Sequence, residues 1–482
     1  MRHLGEHDAD DQQRDRVLRV SDVIGASGRR PHPAGLVLTQ QRQPAHAGND
    51  KAVRNCQAVN VHVDEFSSAD VDAAARRLAG VVALTPLERC VRLSDALGAE
   101  VYLKREDLQV VRSYKIRGAY NLMAQLTAAE RSAGVVCASA GNHAQGFALA
   151  CKLLEVHGRI YVPRNTQRQK RERIVHHGGA WIQLIAGGAT YDDAAEAAEA
   201  DVARSGATMV PPFDDLRTIA GQATIGAEIV GQLGRVPDVI VAPVGGGGLL
   251  AGLTTVVRDR HPQLRLVGAE PMRAASMGAA LAAGRPVVLE HMDPFVDGAA
   301  VRRAGTLTHA IIAGGNAVVV GIAEGRICTE ILALYQNEGI IAEPAGALAA
   351  AALTSSSWPA EVVIEPGSTI VAIVSGGNND ISRYGEILER SLIHEGLKHY
   401  FLVNLPQEQG ALRRFLEDVL GPEEDIVLFE YTKRNNRETG PALVGLELSS
   451  AADLGDLLRR MDESPLEIER LDPHSATFRY LT

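Results

Sequence analysis

The chain has 482 residues, enough for two to four domains at roughly 100–200 residues each. Its 49 Lys and Arg against 59 Asp and Glu leave a net charge of −10, which argues against nucleic acid or an anionic membrane as the main partner. No apolar run reaches the ~18–20 residues that cross a bilayer, and five cysteines without a CxxC pair argue against a disulfide framework and fit a reducing, cytoplasmic setting.

Residues 1–62 mix His, Arg, Gln and Asp with scattered Gly and Pro and show no sustained period. They read as a disordered extension, and no apolar run follows a basic start, so they are not a secretory signal. Val61 and Val63 stand where the periodic sequence begins, and bacterial translation can start at a valine codon. Residues 1–60 are therefore expected to be untranslated in the cell or a dispensable tail.

From about residue 68 the pattern alternates. Ser68-Ala69-Asp70 is expected to cap an Ala-rich helix running to about Leu78. Strands are predicted at 100–104, 134–138, 158–162, 180–185, 238–243, 265–270 and 369–374. Several are apolar throughout, which suits parallel strands covered on both faces. Helices are predicted at 142–154, 190–205, 217–233, 248–259 and 324–336. The pattern is that of a layered α/β domain, 63–396, with more strand–helix units than one small sheet uses. Residues 397–482 read differently: strand 399–405, helix 409–421, strands 425–433 and 441–448, helix 451–463 and a strand near 466–471. That β-α-β-β-α-β order is the ferredoxin-like split unit.

Four motifs lie at strand ends or helix starts, where ligands gather in open α/β sheets. Gly245-Gly246-Gly247-Gly248-Leu249 follows the strand 238–243 and opens a helix. Consecutive backbone N–H groups there can cradle a phosphate, or the segment is simply a flexible loop. The 1-3-6 glycine spacing of dinucleotide sites and the Gly-Lys-Ser/Thr of the P-loop are both absent. Lys115, in Ser113-Tyr114-Lys115-Ile116-Arg117-Gly118, begins an apolar helix. A lone lysine is ordinarily a solvated surface residue; one held at a helix start and desolvated has the lowered pKa of a Schiff-base amine. Ser139-Ala140-Gly141-Asn142-His143 joins a strand to a helix and offers N–H groups to a carboxylate, or else Ser139 or Asn142 merely caps the helix. Ser375-Gly376-Gly377-Asn378 ends the apolar strand 369–374.

In this order and spacing, these motifs resemble the fold-type II pyridoxal-phosphate (PLP) enzymes, and within them the threonine dehydratase (threonine ammonia-lyase) family. Thr85-Pro86-Leu87, Pro212-Phe213-Asp214-Asp215-Leu216, Asn337-Glu338-Gly339 and Ala342-Glu343-Pro344-Ala345-Gly346 resemble it too. The resemblance covers roughly residues 65–482. It implies a tryptophan synthase β-like α/β catalytic domain of two subdomains, followed by an ACT-like regulatory domain.

The resemblance also implies roles. Lys115 carries PLP as a Schiff base and takes the substrate α-proton. Gly245, Gly246, Gly247, Gly248 and Leu249 hold the phosphate. Asn142 bonds the ring oxygen, and Ser375 meets the pyridine nitrogen. Ser139, Gly141, Asn142 and His143 frame the substrate carboxylate. Tyr114 departs from the family's phenylalanine before the lysine. No metal is expected: Glu270 resembles a cation ligand of serine racemases, but Ser276 stands where those carry a second acid. His176-His177 read as a solvated helix end. The implied reaction turns L-threonine (or L-serine) into a 2-oxo acid and ammonia, in a homotetramer regulated by isoleucine or valine. A serine dehydratase or racemase, or a catabolic dehydratase, is the alternative.

Overall fold

The computed structural model describes Val63 and residues 65–478, except 422, 432–437, 474, 476 and 477. The expectation about residues 1–62 falls on positions outside these. Among the described residues the strands are β1 (Leu87–Arg89), β2 (Glu100–Arg105), β3 (Val135–Ala138), β4 (Gly158–Val162), β5 (Ile182–Ala186), β6 (Thr208–Met209), β7 (Val239–Pro243), β8 (Arg265–Pro271), β9 (Val318–Ile322), β10 (Thr369–Val374), β11 (Lys398–Pro406), β12 (Glu424–Tyr431), β13 (Thr439–Leu448) and β14 (Glu467–Arg470).

They form three sheets. The large one has the order β1-β2-β10-β7-β8-β9, parallel except for β1. A small parallel sheet, β5-β4-β3-β6, is inserted in the chain between β2 and β7. Helices cover both faces of the large sheet, so its central strands are apolar throughout. In β7 and β10 every residue is buried. Successive side chains point to opposite faces. Val241, Ile370 and Ala372 enter one core; Ile240, Val371 and Ile373 enter the other. The small lobe has its own core around Val135, Cys137, Phe147 and Ile160. Ile373 pairs with Lys104 and Ala372 with Val241, so β2, β7 and β10 end along one edge of the sheet.

The C-terminal sheet is antiparallel with the order β12-β13-β11-β14, the ferredoxin-like arrangement. The helices Ala411–Asp418 and Leu454–Glu463 bury Phe415 and Leu457 against its Phe401, Val403 and Val444. No helix among the described residues is long and apolar enough to cross a membrane.

The strand expected at 180–185 is Ile182–Ala186, behind a 3-10 turn Gly179–Trp181, and the helix expected at 409–421 is Ala411–Asp418. The first helix, Ser68–Leu78, is capped by Ser67, one residue earlier than expected; Asp70 at the third helical position accepts the Ser67 N–H at 3.0 Å. The helix Pro344–Leu353 went unread because all ten of its residues are buried, so it carries no amphipathic period.

Candidate active site

Lys115 is the first residue of the helix Lys115–Met123, which follows β2. Its Nζ donates to Pro212 O at 3.3 Å and lies 5.2 Å from the centre of the Tyr114 ring. Burial pushes its amine down to about 8, against the opposing pull of the Glu343 carboxylate. At pH 7 roughly a tenth of such amines are unprotonated and nucleophilic.

The helix is anchored by charge. Arg117 is fully buried and forks onto Glu106 through Nε and Nη2, both at 2.8 Å. Its Nη1 reaches Glu228 Oε1 at 2.6 Å, and Lys104 Nζ reaches Glu228 Oε2 at 2.7 Å. Two cations and two anions cancel, which is what lets this cluster stay ionised inside the protein. Close packing fixes the other side. A Cβ added at Gly146 would lie 2.9 Å from Ile116 N, so only glycine lets the helix Asn142–Leu154 come this near.

The turn after β3 brings Ser139, Gly141, Asn142 and His143 beside this lysine. Gly141 occupies the N-cap, with no capping side chain; its N–H donates to Ser139 Oγ at 3.3 Å. Nothing lies within 4 Å of where a Gly141 Cβ would sit, so this turn faces open space. His143 Nε2 donates to Val210 O at 2.8 Å. Burial, then the Lys115 charge, push His143 down to about 4, so the ring is neutral. Its buried Nδ1 is an acceptor without a partner. A neutral ring so oriented has no N–H left for a carboxylate, and His143 can serve one only through its backbone N–H.

Asn142 does not cap the helix either. Its Nδ2 donates to Glu343 Oε1 at 2.5 Å, and its Oδ1 accepts from Asn378 Nδ2 at 2.7 Å. Glu343 is buried, and burial, then the Asp297 charge, push its carboxyl up to about 7. Ser375 Oγ is also buried and donates to Ala345 O at 3.1 Å. The Tyr114 N–H donates to Ser375 O at 3.2 Å, which ties the end of β10 to the Lys115 helix.

The glycine loop leaves β7 and becomes the helix Gly248–Arg260, with Gly247 at the N-cap and φ of 94°. This left-handed conformation favours glycine. Its neighbours need glycine for space. A Cβ at Gly246 would meet the Phe213 ring at 2.3 Å, and one at Gly245 would meet Ala299 O at 2.9 Å. Thr308 Oγ1 donates to Gly246 O at 2.6 Å. In a trans peptide the next N–H, that of Gly247, then points away from Thr308. The N–H groups of the first helical turn have no acceptor within the helix, and the helix dipole makes this end positive.

One loop holds these parts together, and the sequence reading assigned it no role. Val210 O accepts from His143, Pro212 O from Lys115, and Phe213 lies against Gly246 and Gly248. Asp214 accepts the N–H groups of Thr306, Leu307 and Thr308. Glu343 and Asn378, each inside a stretch that resembles the family, were likewise given no individual role.

Glu270 lies apart from this cluster's contacts. Its carboxylate accepts the Met277 and Gly278 N–H groups at 3.0 and 2.7 Å, at the start of the helix Ser276–Ala283. Burial pushes it up to about 7.

A half-buried lysine of lowered pKa, a row of small residues at a positive helix end and a polar side chain between them suit a cofactor bearing both an aldehyde and a phosphate. The residues present fit PLP.

Known proteins agree. Residues 78–376 match the family model "Pyridoxal-phosphate dependent enzyme", and residues 389–481 match "C-terminal regulatory domain of Threonine dehydratase". The biosynthetic L-threonine dehydratase IlvA of Mycobacterium tuberculosis is 64% identical over 86% of this chain and 96% of its own. That of Bacillus subtilis is 46% identical over 83% and 94%. Among solved structures, the processed form of threonine deaminase isoform 2 from Solanum lycopersicum superposes with a TM-score of 0.63 at 37% identity, covering 69% of this chain and 89% of that one. Maize serine racemase superposes at 0.62 with 29% identity, covering 68% and 98%. The chain belongs to the pyridoxal-phosphate-dependent enzymes and, within them, to the biosynthetic threonine dehydratase family.

Proposed function

We propose that this chain converts L-threonine into 2-oxobutanoate and ammonia, the first step of isoleucine biosynthesis, with residues 63–396 catalytic and 397–482 regulatory. The observation that carries this reading is the 210–214 loop, which gathers Lys115, His143 and the glycine loop at one cleft.

PLP, when bound, supplies an electron sink that makes the α-proton of an amino acid acidic. The chain supplies the rest. Lys115, the first residue of its helix, would hold the cofactor through its amine, and the same amine, when free, would accept the α-proton. The N–H groups of Gly245 to Leu249 bind the phosphate. Asn142 orients the ring oxygen. Ser375 Oγ, which here donates to Ala345 O, would turn its hydroxyl to the ring nitrogen and, being neutral where other enzymes could place a carboxylate, would not hold that nitrogen protonated. That favours prompt loss of the β-hydroxyl over racemisation. The backbone at Ser139, Gly141, Asn142 and His143 binds the substrate carboxylate.

Isoleucine binds the C-terminal domain and lowers threonine affinity; valine is the other effector. The protein works as a cytoplasmic homotetramer: a regulatory unit of this size has little core of its own and gains by pairing with another. The direct test is steady-state formation of keto acid from threonine and from serine, each with and without isoleucine and valine. A chain that turns over serine but not threonine, or that racemises without releasing ammonia, would sink the reading.

A further inference from the structure

We propose that the segment 293–299 carries the state of the regulatory domain to the catalytic centre; this rests on the reading that isoleucine regulates the enzyme. The segment is in contact with both ends of the route.

At the regulatory end stands the helix Tyr384–His394, which leads into β11. Two side chains of β11 hold the same residue of this helix. Tyr400 Oη donates to Glu389 Oε1 at 2.6 Å, and Lys398 Nζ donates to Glu389 Oε2. The next residue, Arg390, lies with its guanidinium 4.2 Å from the centre of the Phe295 ring and donates to Asp293 Oδ2 at 3.3 Å. Arg383, the N-cap of this helix, lies 4.7 Å from the same ring and donates to Phe295 O at 2.5 Å. Phe295 is buried, so two cations grip one fixed ring. A helix moves as a rigid body: a shift of β11 that drags Glu389 also drags both arginines.

At the catalytic end the segment touches both halves of the cofactor site. Ala299 O would be 2.9 Å from a Cβ at Gly245, the first residue of the phosphate loop. A Cβ at Gly298 would lie 2.8 Å from Ala345 Cβ, 3.5 Å from Glu343 Oε1 and 3.8 Å from Asn142 Nδ2. Asp297 accepts from Lys170 of the small lobe at 2.5 Å, so the same segment ties the two lobes. Between its ends it is stiff. Phe295 N–H donates to Asp293 Oδ1 at 2.9 Å, and the Ala299 and Ala300 N–H groups both donate to Val296 O. A push on Phe295 therefore reaches Gly298 and Ala299 rather than being absorbed.

Glu389→Gln loosens the regulatory end without changing shape, and Phe295→Leu removes the ring while keeping an apolar side chain. Neither residue touches substrate or cofactor. The full-length holoenzyme is measured in three ways: isoleucine affinity by calorimetry, threonine KM with and without saturating isoleucine, and hydrogen exchange of the 293–299 amides. In the parent chain isoleucine should raise threonine KM by at least about fivefold and change exchange in 293–299. Both variants should bind isoleucine within about threefold of the parent, yet show a KM ratio below about two. If both keep the parent's ratio, or exchange in 293–299 ignores isoleucine, the route is overturned while regulation stands. If isoleucine does not bind the parent chain, the regulatory reading falls and the route with it. Should Phe295→Leu not fold, Glu389→Gln alone decides.

Discussion

Asn142 Nδ2 and Glu343 Oε1 are hydrogen-bonded at 2.5 Å. Asn142 starts a helix of the small lobe, and Glu343 is the N-cap of Pro344–Leu353 in the large lobe. The bond therefore spans the cleft between the two sheets. Asn378, at the end of β10, donates to the other side of Asn142, and Arg173 of the small lobe donates to Asn378. A side chain expected to face the cofactor is thus already the centre of a cross-lobe network.

That network makes the pH dependence of stability specific. Glu343 has a folded value of about 7 against an ordinary 4.5. Folding therefore takes up a proton between these values; the contribution is complete below about 4.5 and lost as pH rises through about 7. Replacing Glu343 with Gln keeps an acceptor for Asn142 and removes the buried charge. The cofactor-free variant should match the parent near pH 4.5 and exceed it by up to about 3 kcal/mol at pH 8. Denaturant titrations at several pH values check this, and parallel curves for the two proteins would contradict it.

Lys115→Ala should cost at least about 10³-fold in turnover, since one residue both binds the cofactor and moves the proton. The visible absorption of lysine-bound cofactor should vanish as well. Near-normal turnover in this variant would end the proposed mechanism.

Ser375→Asp places a carboxylate where a neutral hydroxyl now lies. It should hold the ring nitrogen protonated and slow ammonia release by about tenfold or more, with any racemisation side reaction gaining ground. Unchanged rates of both reactions would refute the argument from the neutral hydroxyl.

Arg117→Leu leaves Glu106 and Glu228 with Lys104 as the cation between them inside the protein. Breaking a buried charge cluster from one side typically costs about 3–5 kcal/mol. Thermal unfolding should show the loss. A shift under about 1 kcal/mol would mean that water reaches the two carboxylates after the substitution.

Gly246→Ala sets a methyl against the Phe213 ring. Overpacking of this kind costs about 1–3 kcal/mol, and it should weaken cofactor binding more than it changes the rate of the loaded enzyme. Titration of the cofactor into the stripped protein measures that affinity.

The chain's local pattern determined much of this. Helix 142–154 was legible to the residue because a small-residue turn, Ser139-Ala140-Gly141, follows the strand and the apolar run FALACKLL comes after it. Strands β7 and β10 were legible because they are covered on both faces and so are apolar throughout. Lys115, the glycine loop, Asn142 and Ser375 stood out in the sequence because their motifs, in that order and spacing, carry the family resemblance; taken singly, each also reads as an ordinary surface residue, loop or cap. What sequence could not carry were relations between distant positions. Glu343 is 201 residues from Asn142, and only the packing of the two lobes turns a Glu-Pro helix start into a buried acid of raised pKa. His143 was read as part of a carboxylate site, but its tautomer depends on Val210 O, which the fold brings to it from a different strand end. The Phe213 loop and the arginine grip on Phe295 follow the same rule. The first could be matched to the family but given no role and the second was not noted at all; their roles are set by what the tertiary structure places within hydrogen-bonding or van der Waals reach, where desolvation and close approach decide the energies.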